Sequence, residues 1–231
     1  MLFSDEAGTT VIPEPVTIPA LAGEYVDPGK TGKYILAKDG TATYVAPVKA
    51  KGTVEIPDTL SVSGLELKVV AIANGAFKGD EKLKKLYIGK YVRSIGKEAF
   101  ASCPALTTVE GGWRVTSIGN SAFAGCGKLK SLPAFEKLET IGRQAFKGDG
   151  ALSALTLSGR VSQIGTCAFN GCSGLKDIVI KTKSLTAETV GDRAFKGIAA
   201  DAVIQCPKSV LKAYQELLIT KGVPDTAKIT K

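Results

Sequence analysis

The 231-residue chain contains no histidine. Without an imidazole, Ser-His-Asp and Cys-His catalysis, histidine zinc sites and imidazole pH switches are all excluded. Cysteine is sparse and odd in number, with five residues and no Cys-x-x-Cys pair, which argues against a zinc site. No run approaches the roughly 18 apolar residues of a membrane span. The first residues also lack the pattern of a signal peptide, as the mature part of a longer secreted protein would.

Positive charge outweighs negative charge, with 30 Lys and Arg against 22 Asp and Glu. The excess lies after residue 50, because residues 1–50 hold four lysines and six acids. A basic balance favours acidic partners, such as an anionic polysaccharide, a nucleic acid or an acidic protein face. The cations are scattered along the sequence, however, which is equally typical of an ordinary solvated surface.

One phrase recurs through the chain. Ser94–Leu106 reads S-I-G-K-E-A-F-A-S-C-P-A-L. Close copies begin at Ser117, Thr140 and Gln163, and weaker ones at Ala71 and Thr189. Six copies carry a phenylalanine, and the first four gaps between them are 23 residues whereas the last is 26: Phe77, Phe100, Phe123, Phe146, Phe169 and Phe195. Repeats of this length predict a solenoid, whose stacked coils bury what one coil cannot bury alone.

Each coil carries two further apolar segments. The pattern L-x-x-[LIV]-x-[LI], as at 83–88, predicts a strand with one buried face. The pattern [VL]-x-x-[IV]-G, as at 92–96, ends at a glycine that indicates a tight bend or a close backbone approach. The phenylalanines are interpreted as a stacked core column rather than a ligand platform. A three-residue insertion before Val190 accounts for the longer last gap.

The N-terminal part, residues 1–50, is predicted to be a proline-rich arm followed by a β-hairpin cap. Prolines at this density in residues 1–29 exclude a helix. Two β-prone runs then flank Asp39-Gly40, a dipeptide typical of the type I′ hairpin turn. The repeats are assigned to residues 51–206, with V-E-I-P at 54–57 as a strand of an incomplete first coil.

The C-terminal part, residues 207–231, is predicted to be a capping helix and a tail. Apolar residues recur at helical spacing after Cys206, with Ser209 as the expected N-cap and Gly222 as the expected end. The last eight residues are interpreted as a tail or a linker.

The phrase I-G-x-x-A-F-x-x-C-x-x-L followed by L-x-x-[LIV]-x-[LI] resembles the BspA-type leucine-rich repeat family over about residues 54–206. The resemblance implies a β-rich, right-handed leucine-rich repeat solenoid with a parallel sheet on one face. It also implies a secreted or surface protein, of bacteria or some protozoa, with roles in adhesion or matrix binding and no shared catalytic residues. Ile72-Ala73 and Ile198 depart from the pattern, both in terminal coils.

The outward-facing strand residues form the expected binding surface. They are Lys85, Tyr87, Thr108, Glu110, Ser131, Pro133, Ala154, Thr156, Asp177 and Val179. Trp113 and Phe135 follow their strands, where two alternatives stay open: an aromatic anchor for a partner, or local packing against the sheet. The acids Glu98, Glu136 and Glu139 share no column with Glu110 or Asp177, so no pair for glycoside hydrolysis is expected.

The cysteines leave alternatives open as well. Cys103, Cys126 and Cys172 each stand three residues after their phenylalanine, where Asp80 and Asp149 stand in sister repeats. Reduced structural thiols, one disulfide between Cys103 and Cys126 in adjacent coils, or a metal site are the three interpretations.

The expected function is a non-enzymatic extracellular or cell-surface module that binds a protein or matrix macromolecule on a rigid face. No cofactor, metal or specific nucleic acid is expected. One alternative is a cell-wall module that binds carbohydrate or an anionic polysaccharide, with Trp113 or Phe135 as stacking platforms. Another is a structural spacer within a larger surface protein.

Overall fold

A computed structural model describes residues 3–4, 10–11, 22–29, 32–49 and 52–231. Most of the predicted proline-rich arm therefore lies outside the described residues. The strands are β1 (Phe3–Ser4), β2 (Thr10–Val11), β3 (Gly23–Val26), β4 (Gly32–Leu36), β5 (Thr41–Pro47), β6 (Thr53–Ile56), β7 (Thr59–Val62), β8 (Leu65–Ile72), β9 (Lys85–Ile88), β10 (Ser94–Ile95), β11 (Thr108–Gly111), β12 (Ser117–Ile118), β13 (Thr140–Ile141), β14 (Ala154–Leu157), β15 (Gln163–Ile164), β16 (Asp177–Ile180), β17 (Val203–Gln205) and β18 (Lys228–Thr230). A single-turn 3₁₀ segment at Lys208–Val210 precedes the helix α1 (Leu211–Thr220).

The repeats form a β-solenoid, as predicted, and both apolar segments of the repeat contribute parallel strands, although not in every coil. The segment L-x-x-[LIV]-x-[LI] forms the broad sheet, which consists of β6-β9-β11 and β14-β16-β17-β18. The segment [VL]-x-x-[IV]-G forms the narrow ladder, β8-β10-β12-β13-β15, whose strands after β8 are two residues long. Ile95 lies beside Ile118, and Ile118 beside Ile141, so adjacent coils are offset by one repeat.

The phenylalanine column is the centre of the core, which confirms the prediction. Consecutive rings from Phe77 to Phe195 stack with centroids 5.0–5.5 Å apart and planes within 15° of each other. The column extends one ring further than the repeats, because Tyr44 stacks on Phe77 at 5.4 Å. Tyr34 then closes it edge-on against Tyr44 at 5.3 Å. Stacked coils therefore share one continuous apolar interior.

The glycine that ends each narrow strand is required by the close approach of the coil before it. A Cβ on Gly119 would lie 2.7 Å from the carbonyl carbon of Gly96, and a Cβ on Gly142 would lie 2.6 Å from that of Gly119. These contacts are with backbone, which cannot move aside. In the first copy the position is Ala73, which follows β8 and whose N–H donates to the carbonyl of Tyr44 in the hairpin strand β5.

The predicted N-terminal hairpin is present as β4 and β5, but its turn differs from the expected type. A type I′ turn needs positive φ at both central residues. Only Gly40 has positive φ, at 78°, and its N–H donates to the carbonyl of Ala37. The loop is therefore a three-residue turn that ends in a left-handed glycine, stabilised by the Asp39 carboxylate, which accepts from Thr41 N–H and Oγ1–H.

The type I′ turn lies elsewhere, in a hairpin that the repeat pattern concealed. Strands β7 and β8 pair antiparallel through a two-residue loop, Ser63-Gly64, whose φ angles are 49° and 82°. The Ser-Gly dipeptide between alternating apolar runs was the available signal.

A further difference is β3, which lies within the predicted arm and pairs antiparallel with β4.

The C-terminal end differs from prediction in two details. The helix α1 covers the predicted segment and buries Tyr214 and Leu218, but Ser209 lies in the preceding 3₁₀ turn and provides no side-chain cap. The last residues are not a tail, since β18 pairs in parallel with β17 and adds a final strand to the broad sheet.

The three-residue insertion is confirmed by the bridge between Ile164 and Val190, which are 26 residues apart.

Candidate binding surface

The predicted binding residues fall into two groups on the outer face of the broad sheet. In the first group, Lys85 pairs with Thr108, and Tyr87 pairs with Glu110. In the second, Ala154 pairs with Asp177, and Thr156 pairs with Val179. Lys85, Glu110 and Asp177 are exposed, whereas Tyr87, Thr156 and Val179 are half-buried. Parallel pairing thus brings residues that are 23 apart in sequence directly beside one another.

The sheet is interrupted between the two groups. Here a single isolated bridge between Thr108 and Ser131 takes the place of continuous strand pairing. Pro133 follows in this coil, and proline has no N–H to donate to a neighbouring strand. The predicted outward pair Ser131 and Pro133 therefore separates two patches rather than joining them into one continuous face.

The first group carries an exposed aromatic anchor. Trp113 is 53% exposed, the largest exposed fraction among the large apolar side chains that the structure describes. Its ring contacts Tyr87 edge-on, with centroids 6.0 Å apart. An indole held in place by a neighbouring ring loses little side-chain entropy when a partner covers it. This geometry favours the recognition alternative for Trp113.

Phe135 belongs to the core, which corrects its placement among the candidate binding residues. Only 4% of its surface is exposed. The equivalent strands end on an inward-facing apolar residue such as Leu157, but this position is Gly111 in one coil and Ala134 in the next. Phe135 packs where those side chains are missing, since a Cβ on Gly112 would lie 2.9 Å from its Cε1 atom. The packing alternative holds here.

A shallow cavity of about 200 Å³ opens beside the second group. Thr156, Ser158, Glu136 and Lys181 contribute to its lining. The Ser158 hydroxyl is buried and donates to the carbonyl of Leu138 at 3.0 Å, which ties this wall to the preceding coil. The cavity is below the size that usually encloses a small-molecule ligand.

The corner that joins the broad sheet to the narrow ladder concentrates cations around one aromatic ring. Lys68, Lys90 and Arg114 each lie 5.1–5.3 Å from the ring centroid of Tyr91. Asp58 accepts from the Lys90 N–H at 2.7 Å, and the Lys90 ammonium lies 3.1 Å from its other oxygen. The hydrogen bond from the Lys90 backbone N–H is the main reason that the pKa of Asp58 lies below its usual value, and the Lys90 ammonium adds to the effect. This cluster is not apparent from the sequence, because its members come from three separate coils.

The cysteine column consists of thiols bonded to backbone. The Sγ atoms of Cys103, Cys126 and Cys172 lie 3.0–3.1 Å from the carbonyl oxygens of Phe77, Phe100 and Phe146. Each thiol thus joins its coil to the preceding one. This arrangement supports the structural-thiol interpretation of the column.

Asp149 occupies the same column and is fully buried. Its Oδ1 accepts from the Cys126 N–H at 2.8 Å, while Oδ2 has no hydrogen-bond partner among the described residues. Burial raises the pKa of Asp149 to about 8, although the amide hydrogen bonds oppose that shift. Burial, followed by the charge of Asp149, raises the pKa of Cys172 to about 12.

Within the part of the chain that the structure describes, no group of three or more Cys, Asp or Glu side chains is placed to hold a metal ion. A search of the same residues finds no helix with the length and apolarity of a membrane span.

Comparisons with known proteins agree with this architecture. A family model described as the BspA type leucine rich repeat region matches residues 70–200 in six copies. A leucine-rich repeat protein from T. pallidum (TpLRR) superposes with a TM-score of 0.67 and 23% identity, covering 88% of this chain and 100% of that one. The pneumococcal vaccine antigen PcpA superposes with a TM-score of 0.60 and 19% identity, covering 89% of this chain and 49% of that one. A search of curated protein sequences finds no significant match.

Proposed function

The chain belongs to the BspA-type leucine-rich repeat family, and from this premise we propose that it is a non-enzymatic adhesion module. It acts outside the cell, either secreted or displayed on the cell surface. Its partner is a protein of the extracellular matrix or of another cell surface. The partner docks on the β9–β11 part of the broad sheet.

The observation that carries this proposal is the exposed Trp113 held against Tyr87, on a strand pair that also exposes the charged side chains of Lys85 and Glu110. A rigid aromatic centre with a polar surround is the usual composition of an energetic hot spot in a protein interface. The stacked coils fix these side chains on a frame that need not rearrange on binding.

The test is binding of the purified protein to immobilised fibronectin, laminin, collagen and fibrinogen, measured by surface plasmon resonance. At least one of these proteins should bind, and Trp113→Ala should weaken that binding at least tenfold. Ile219→Ala, which removes an exposed apolar side chain from the C-terminal helix, is the matched control and should have no effect. Failure of all four to bind, or equal binding by both variants, would contradict the proposal.

The extracellular location has its own test. Protease treatment of intact producing cells, or analysis of their culture medium, should release or reveal the protein. Protection of the whole pool until the cells are lysed would rule out this location.

A further inference from the structure

Four cations occupy one position of the repeat. Arg114, Lys137, Arg160 and Lys183 are spaced by exactly 23 residues, and all four are exposed. The first three each lie in an equivalent turn, closed by N–H to carbonyl bonds from Val115 to Gly112, Leu138 to Phe135 and Val161 to Ser158. We call these four residues the cation ladder. In the coil before it, the equivalent position is Tyr91, the ring surrounded by Lys68, Lys90 and Arg114.

The cation ladder is held at the spacing of the coils. Two residues beyond each ladder position, the backbone is bonded from coil to coil: Thr116 N–H donates to Arg93, Glu139 N–H to Thr116 and Ser162 N–H to Glu139, at 2.8–2.9 Å. The rings inside the same coils repeat at 5.0–5.3 Å. The backbone positions of Arg114, Lys137 and Arg160 therefore repeat at about one strand spacing, which lines up the cations that they carry.

The row carries charge that the protein itself does not neutralise. Among the described residues, none of the ion pairs includes a member of the cation ladder. The nearby acids by sequence position are Glu136, which follows Phe135 in the second ladder turn, and Glu139. Lys181 and Arg93 add further positive charge at the same edge. Like charges aligned at this spacing repel one another, so a bound anion would relieve a standing cost.

We propose that the cation ladder binds a linear anionic polysaccharide that bears a carboxylate or sulfate on successive sugar residues. One sugar residue of an extended glycan is about as long as one coil spacing, so acidic groups and cations can pair in register. Trp113, beside the first ladder residue, offers an exposed ring face for a sugar. Single-stranded nucleic acid fits less well, because its successive bases need successive aromatic platforms, whereas the next two coils carry Glu136 and Gly159 at the Trp113 position.

The only tryptophan of the chain lies at one end of the ladder, so its fluorescence can report binding. The protein is titrated with polygalacturonate and with heparin at several salt concentrations. The triple variant Arg114→Ser, Lys137→Ser, Arg160→Ser should bind at least tenfold more weakly. Its plot of log K against log salt should be shallower by about three, because three fewer counterion-releasing contacts form.

The matched control is Lys128→Ser, Lys147→Ser, Lys196→Ser, which removes the same charge from exposed positions elsewhere in the repeats. It should keep nearly wild-type affinity, and circular dichroism should show both variants folded. Equal losses in the two variants would mean diffuse attraction only and would overturn the proposal. So would the absence of binding to either polysaccharide at physiological salt, or tighter binding to oligo-dT than to both.

This surface shares Trp113 with the proposed protein-binding face, but the two can be tested apart because the triple variant leaves Lys85, Tyr87, Glu110 and Trp113 in place. A wild-type protein that binds a matrix protein but neither polysaccharide would overturn this proposal alone, and the reverse result would overturn the protein-binding proposal alone.

Discussion

The middle coils and the first coil repeat the same residue pattern, but they meet different neighbours. In the middle, each core position lies between two copies of itself: Phe123 stacks between Phe100 and Phe146. At the first coil, Phe77 meets Tyr44 of the cap on one side. The same difference applies to the glycine and cysteine columns. A repeat position therefore has a fixed environment only where the coils on both sides are regular.

The largest expected effect is in the middle of the phenylalanine column. Phe123→Ala removes a fully buried ring that stacks on both faces and should lower the free energy of unfolding by about 3–5 kcal/mol. At the end of the column, Tyr44→Phe should cost nothing or stabilise the protein, because the buried Tyr44 hydroxyl has no hydrogen-bond partner among the described residues. Urea unfolding measures both. A large loss in Tyr44→Phe, or none in Phe123→Ala, would reverse the order predicted for the column.

The cysteine column gives the next effect, which depends on pH. Burial raises the pKa of Asp149 from 3.8 to about 8 in the folded protein. The folded state thus binds a proton that the unfolded chain releases, and stability falls as pH rises from about 4 to about 8. In this protonated form, the buried side chain of Asp149 carries no charge. Asp149→Asn should therefore stabilise the protein at pH 9, by an amount on the order of 3 kcal/mol.

Asp80 is the matched control at the end of the same column. Its carboxylate is only partly buried, and its Oδ1 accepts from the N–H groups of Lys82 and Leu83. Asp80→Asn should bring no gain at alkaline pH. Thermal melts of both variants and the wild type at pH 5, 7 and 9 test the pair. The interpretation fails if the Asp149→Asn gain is the same at pH 5 as at pH 9.

The sequence predicts the middle coils well because each position there recurs in several copies of the repeat. The phenylalanine column, the alternating strands and the insertion before Val190 all follow from register alone. Each end of the chain occurs only once, so no repeated copies support a prediction there. The hairpin at Ser63-Gly64 and the last strand β18 are therefore not predicted, although each has ordinary local signals. Asp39-Gly40 shows the limit of such signals, because a dipeptide fits more than one turn type.

The candidate surface is predictable only in part, for a different reason. Outward strand positions follow from alternation, and Lys85, Tyr87 and Glu110 lie where they were expected. Phe135 was misplaced because its burial depends on a missing side chain at Ala134 in its own coil and at Gly111 in the coil before it. The cation ladder is not apparent from the sequence, because the distribution of charge along the chain does not show that residues 23 apart are neighbours.

The smallest effect separates the glycine column from its first member. Gly119→Ala places a Cβ 2.7 Å from the Gly96 backbone and should destabilise the protein by about 1–3 kcal/mol through overpacking. The reverse change at the first coil, Ala73→Gly, relieves no contact and should cost only the ~0.5–1 kcal/mol of added freedom in the unfolded chain. Amide hydrogen exchange should also accelerate around Gly119→Ala on both adjoining coils, because the displaced backbone is shared between them. If Gly119→Ala were as mild as Ala73→Gly, close coil contact would not explain this column, and the glycines would reflect bend geometry alone.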